Sequence, residues 1–194
     1  MKKLLLTVVA SIFMVGTVQA EDNWTTSQHN YQLKSDTWGL EIRNVDQDDY
    51  DHVEFSYNLS DSLVAELRYA ENGVTHEIRP KLTHSLISAG PLSLKHRIEY
   101  RYFEGNTTDD SWRYRFIAKA SLGSAWVKAE PRWTLGGDNT NDMKIDDIKY
   151  QAGYDLSLAD AVVFTPFVEY RTAGEEGKWL KEDLFWGTTL QVKF

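Results

Sequence analysis

The feature that most constrains this chain is a period-2 alternation that returns in one segment of about ten residues after another, from Trp38 to the C-terminus. In the last segment Leu184, Trp186, Thr188, Leu190, Val192 and Phe194 alternate with small or polar Gly187, Thr189, Gln191 and Lys193, broken only by Phe185. Successive side chains of a strand point to opposite faces, so each segment has one greasy and one wet face. Trp38, Leu40 and Ile42 open the series, and Val53, Phe55, Tyr57 and Leu59 follow. Next come Leu63 to Tyr69, Val74 to Leu86, Leu92 to Tyr102, Trp112 to Ser121, Val127 to Thr134, Ile148 to Asp155 and Val162 to Arg171. With the terminal segment these predict ten strands. Pro80 and Pro131 fall inside two of them, where a proline cannot donate to a ladder.

The connections are of two kinds. Ser60–Ser62, Ser88–Pro91, Gly123–Ser124 and Ser157–Asp160 are short turns. Asp46–Asp51, Glu104–Asp110, Gly136–Lys144 and Thr172–Gly177 are longer and mostly acidic, with Asn72-Gly73, a two-residue hairpin signal, as the short exception among them. Short turns and long loops therefore alternate, which puts them at opposite ends of an up-and-down meander. Both chain ends are then expected on the short-turn side, as in an even-stranded barrel.

A soluble sandwich or lipocalin-like barrel also alternates, with its apolar face inside. Three observations favour the inverted arrangement. Lys2 and Lys3 precede an apolar stretch from Leu4 to Val15, and Val18-Gln19-Ala20 supplies small residues for cleavage, the pattern of a secretory signal peptide. No other run approaches the ~20 apolar residues of a membrane helix. Seven Trp and ten Tyr coexist with the mean hydropathy of a soluble protein, a mixture expected where alternate residues face lipid. The terminal strand resembles the last strand of bacterial outer-membrane barrels, where a final aromatic such as Phe194 is the assembly signal. The expectation is an all-β, transmembrane, antiparallel up-and-down β-barrel of about ten strands, with twelve as the alternative. Residues 1–20 are the signal peptide, 21–37 an N-terminal arm, lumen plug or short extra strand, and 38–194 the barrel. Trp38, Tyr69, Tyr102, Trp112, Trp133, Tyr154 and Tyr170 fall near strand ends, as interfacial aromatics do.

If the wet faces line a lumen, the fourth to seventh segments carry Arg79, Lys81, Lys95, Arg97, Arg101, Arg113, Arg115, Lys119, Lys128 and Arg132 inward, against Glu77, Glu99 and Glu130. Elsewhere the inward charges are mixed. Fixed positive partners offset the hydration an anion loses on entering a pore, and the Arg fork suits carboxylate and phosphate. The expected function is a small monomeric outer-membrane channel for small anionic solutes. The alternative is a non-conducting structural or adhesive barrel whose arginines and glutamates satisfy one another while its acidic loops act outside.

The stretches Lys95-His96-Arg97-Ile98-Glu99-Tyr100-Arg101-Tyr102-Phe103 and Ser111-Trp112-Arg113-Tyr114-Arg115-Phe116-Ile117-Ala118-Lys119-Ala120 resemble the oligogalacturonate-specific (KdgM-type) porins and their sialic-acid-channel relatives. The likeness covers mainly Leu92 to Phe194. It implies a monomeric twelve-stranded channel with arginine tracks for acidic oligosaccharides, in which Arg97, Arg101, Arg113, Arg115 and Arg132 would touch substrate. The chain departs from it by showing about ten strands.

Other classes find little support. Without its two signal-peptide lysines the formal charge moves from −8 to about −10, which argues against nucleic acid. There is no cysteine for a disulfide or a thiolate metal site. His52 lies near Asp48, Asp49 and Asp51, but a solvated acidic loop explains that cluster better than acid–base chemistry. Asp138, Asp142, Asp146 and Asp147 do not match a calcium loop. His76, His84 and His96 fall in the lipid-facing phase without ligand spacing. No enzyme, cofactor or metal is expected. The expected partners are outer-membrane lipid and lipopolysaccharide, the barrel-assembly machinery and small anionic solutes.

Overall fold

The computed structural model describes residues 27–45, 50–72, 75–104, 110–135, 145–175 and 178–194. The expected signal peptide and the acidic loop residues Asp48, Asp49, Asp138 and Asp142 lie outside them. The described chain forms twelve strands: β1 Ser27–Lys34, β2 Trp38–Val45, β3 Tyr50–Asn58, β4 Leu63–Asn72, β5 Thr75–Ala89, β6 Leu92–Glu104, β7 Ser111–Leu122, β8 Ala125–Leu135, β9 Ile145–Tyr154, β10 Leu156–Ala159, β11 Val162–Glu175 and β12 Lys178–Lys193. Each pairs antiparallel with its neighbour from β1 to β9, β9 and β10 both pair with β11, and β11 pairs with β12. β9 and β10 are therefore one stave broken at Asp155. The fold is a closed, all-β, up-and-down barrel.

Closure differs from the even-stranded expectation. β2 does not meet β12; β1 lies between them, antiparallel to β2 and parallel to β12 in the register Ser27↔Trp186 to Lys34↔Lys193. The ten staves read from Trp38 onward become eleven, and an odd number can close only through a parallel pair. β1 consequently starts beside Val45 at the long-loop end, so the two ends of the barrel wall do not share one side. The seam is held by side chains as well as backbone. Asn30 Nδ2 donates to Thr189 Oγ1 at 3.1 Å, and His29 Nδ1 lies 3.0 Å from Thr188 Oγ1.

Burial settles which face is inside. Val53, Phe55, Tyr57, Leu67, Tyr69, Ile98, Trp112, Val127, Tyr150 and Val168 are exposed, while Glu54, Arg68, Glu77, Arg79, Glu99, Arg115, Glu130 and Glu169 are buried. A soluble protein would invert this, since an exposed apolar band of such extent far exceeds the few hundred Å² tolerated in water. In lipid the band costs nothing, and the backbone is satisfied by closure. Aromatic pairs mark the band's ends, with Tyr100 and Trp112 5.0 Å apart and Trp38 and Phe194 5.2 Å apart between ring centroids.

The strand prolines fit because the ladder skips beside them. Between Ile78↔Tyr102 and Lys81↔Glu99, and between Arg115↔Arg132 and Ala118↔Ala129, pairs are missing without a change of register. Two inward glycines matter for the lumen. A Cβ on Gly153 would strike the Trp126 ring, and one on Gly187 would strike Phe167 and the carbonyl of Gln28. Both rings thus lie flat on the wall rather than across the bore.

Candidate functional site

The lumen holds one large cavity of about 1260 Å³. Thr75, Val45 and Phe103 line it at the long-loop end, and Lys34, Ser35, Asn58 and Lys119 at the short-turn end. Over the ~25 Å height of an apolar band, that volume corresponds to a mean cross-section on the order of 50 Å².

Of the ten basic residues singled out by the sequence, Arg79, Lys95, Arg97, Arg101, Arg113, Arg115, Lys119, Lys128 and Arg132 line the cavity. Lys81 faces inward too, but its ammonium is fully buried in the wall against Glu54. The strands place these side chains by parity: Arg97, Arg115 and Arg132 are direct partners across β6, β7 and β8, which sets three arginines side by side on the wall.

Mid-barrel carboxylates hold this belt. Glu99, with no exposed surface, takes Arg115 Nη2 at 2.7 Å and lies 3.6 and 3.7 Å from the guanidiniums of Arg79 and Arg113. Glu130 accepts Arg115 Nη1 at 2.6 Å and Arg132 Nε at 3.2 Å, with Lys128 at 3.4 Å. Glu77 receives Arg79 in a fork, at 2.9 and 2.6 Å, and Arg101 at 2.7 Å. Charge-assisted forks of this kind fix orientation as well as energy.

Two anchors cross from the mixed sector and were not seen as partners in the sequence. Glu54 on β3 binds Arg68 Nε at 2.6 Å and also Lys81, and Glu66 on β4 binds Arg97 at 3.1 Å and Thr83 at 2.7 Å. On the far wall Glu169 holds Lys149 at 2.7 Å and Arg171 at 2.6 Å, and Asp147 holds Arg132 at 3.2 Å. His52 also turns inward, its Nε2 3.0 Å from Glu41 Oε1, rather than toward the acidic loop. Among the described residues the belt's cations still outnumber the carboxylates they share.

The short-turn end is built otherwise. Lys34, Lys95 and Lys119 line the cavity there and make no ion pair with a described carboxylate. The ammonium of Lys119 lies 4.7 Å from the Trp126 ring centroid, over a face whose other side rests on Gly153. Lys34 sits in the segment that the sequence left as arm, plug or extra strand, so it escaped the sequence reading. Its inward place depends on the β1–β12 seam, which no local pattern announces. Phe194, expected as the assembly signal, donates its backbone N–H to the Lys34 carbonyl at 3.1 Å at this end.

On the outer face β5–β6 pairing brings His84 and His96 together, Nδ1 to Nε2 at 3.1 Å.

No family model and no curated protein matches the chain. Among solved structures it is similar to Pseudomonas aeruginosa OpdL, at 12% identity and a TM-score of 0.35, over 78% of this chain and 55% of that one. It is also similar to a double variant of OccD1 (OprD), at 16% identity and a TM-score of 0.32, over 71% of this chain and 46% of that one. The chain spans about half the length of these structures. Likeness this distant does not bear on function, and the barrel rests on its own strand pairing.

Proposed function

We propose that the chain is a small outer-membrane channel, exported by a cleaved signal peptide, through which small anionic solutes diffuse. One observation carries this reading: a single cavity of about 1260 Å³, lined from one end to the other, whose polar lining carries more cationic than anionic side chains among the described residues. An anion entering it exchanges hydration for fixed positive partners, whereas a cation meets an excess of like charge. The long loops face the exterior and the short turns the periplasm, the usual arrangement of such barrels. The barrel works as a monomer in outer-membrane lipid and lipopolysaccharide after insertion by the assembly machinery. Acidic oligosaccharides are the solute class suggested by the sequence likeness to oligogalacturonate porins. Single-channel recording of the refolded mature protein tests the reading, since discrete anion-selective steps are expected.

A second reading has an observation in its favour. The belt around Glu99 and Glu130 is tightly cross-bonded, as in a closed barrel whose charges only satisfy one another. A folded barrel that never conducts would select it, and the outer loops would then be the acting surface.

A further inference from the structure

The lumen charges are sorted along the axis. In the belt Arg79 and Arg115 are bonded to buried carboxylates, and an incoming anion would have to compete with partners already holding those guanidiniums. At the short-turn mouth no carboxylate among the described residues holds Lys34, Lys95 or Lys119 in an ion pair. These three line the same end of the cavity, where Lys34 feels the charge of Glu41 as well as those of Lys193, Lys95 and Lys119. Lys34, Lys95 and Lys119 therefore share one opening although they come from β1, β6 and β7. Other carboxylates of the described wall are engaged elsewhere. Glu66 is held by Arg97 and Thr83, Glu41 by Gln32, Arg43 and His52, and Asp155 by the Trp126 indole at 3.1 Å and Thr165 at 2.7 Å. The Lys119 ammonium lies over a Trp126 ring that is itself held against Gly153 and bonded to Asp155.

We propose that Lys34, Lys95 and Lys119 form an anion-docking site at the short-turn mouth, and that this site, more than the arginine belt, sets the channel's preference. The proposal rests on the channel reading. Ammonium groups are compact, well-hydrated point charges with rotatable donors, so they suit a hydrated oxyanion held loosely rather than a planar group gripped in a fork. A carboxylate or phosphate group of a small solute fits. Charge concentrated at one mouth also makes the current asymmetric with voltage.

The absence of cysteine allows a test that leaves the fold alone. In K119C, a negatively charged thiol reagent should lower the chloride-over-potassium permeability ratio and a positively charged one should restore it. The double variant K95Q/K119Q should lose about twofold to threefold in that ratio per lysine, the order expected for one charge acting through water at ~6–8 Å. Inorganic phosphate or citrate, added to one side at a time, should block chloride current more strongly from one side, and the double variant should lose that asymmetry. Either blocker acting in this way supports the site and tells phosphate from carboxylate preference. Conducting channels whose selectivity ignores both reagents and both substitutions would overturn the docking site and leave the channel standing. Absence of any conductance in the unsubstituted protein would overturn both.

Discussion

The belt and the short-turn mouth use the same kind of charge for opposite purposes. In the belt, arginines donate hydrogen bonds to buried glutamates on their own and neighbouring strands, so the charges hold the wall in shape. At the mouth, Lys34, Lys95 and Lys119 line the cavity without an ion pair to any described carboxylate, so on the proposed reading their charge is left for a solute. The difference follows from strand parity and register. Arg115 faces Arg97 and Arg132 directly and reaches diagonally, two residues along β6 and β8, to Glu99 and Glu130, whereas Lys95 and Lys119 face Ser93, Ile117 and Lys128 across the same strands.

Breaking the belt should have the largest effect. Glu99→Gln removes the buried carboxylate that Arg79, Arg113 and Arg115 share, leaving Glu77 and Glu130 to offset a denser cluster of cations. The expected loss is about 3–5 kcal/mol, the range for a buried pair deprived of one partner, read as a lower denaturant midpoint for the refolded barrel. Next come the glycines under the rings. Gly153→Val should cost about 1–3 kcal/mol from overpacking and drive Trp126 off the wall, lowering unit conductance if it swings into the bore. A loss of stability without change in conductance would show that the ring moves along the wall instead.

The mouth should respond in the reverse sense. Lys95→Gln with Lys119→Gln should change stability by less than about 0.5 kcal/mol, as surface substitutions do, while anion preference drops. If this variant unfolds as readily as Glu99→Gln, the contrast between the two regions fails. The smallest expected effect separates them by salt. Raising salt from about 0.1 M to 1 M shortens the Debye length from about 10 Å to 3 Å, so current asymmetry should fade while the denaturant midpoint hardly moves. An asymmetry that survives high salt would place its origin in bore shape.

Much of the wall was legible in the sequence because period-2 patterning is local. Trp38–Val45 and Leu92–Glu104 show their lipid faces without any partner strand, and the inward parity of Arg97, Arg113 and Arg115 follows from it. The closure was not legible. Ser27–Lys34 alternates weakly, since Gln28, Asn30 and Gln32 face the lumen while His29 and Tyr31 supply modest outward bulk, and its parallel pairing with β12 is set by a partner more than 150 residues away. Lys34 was missed for that reason. Cross-strand anchoring was missed for a related one: Glu54 and Glu66 read as members of a separate mixed sector, yet register carries them to Lys81 and Arg97. Alternation tells which side a residue faces, and register tells whom it meets.

The most direct measurement is the reversal potential of single channels of the refolded mature protein under a salt gradient. Discrete steps that reverse on the chloride side are the predicted result. A folded barrel that gives no steps, or steps that reverse on the potassium side, would contradict the account.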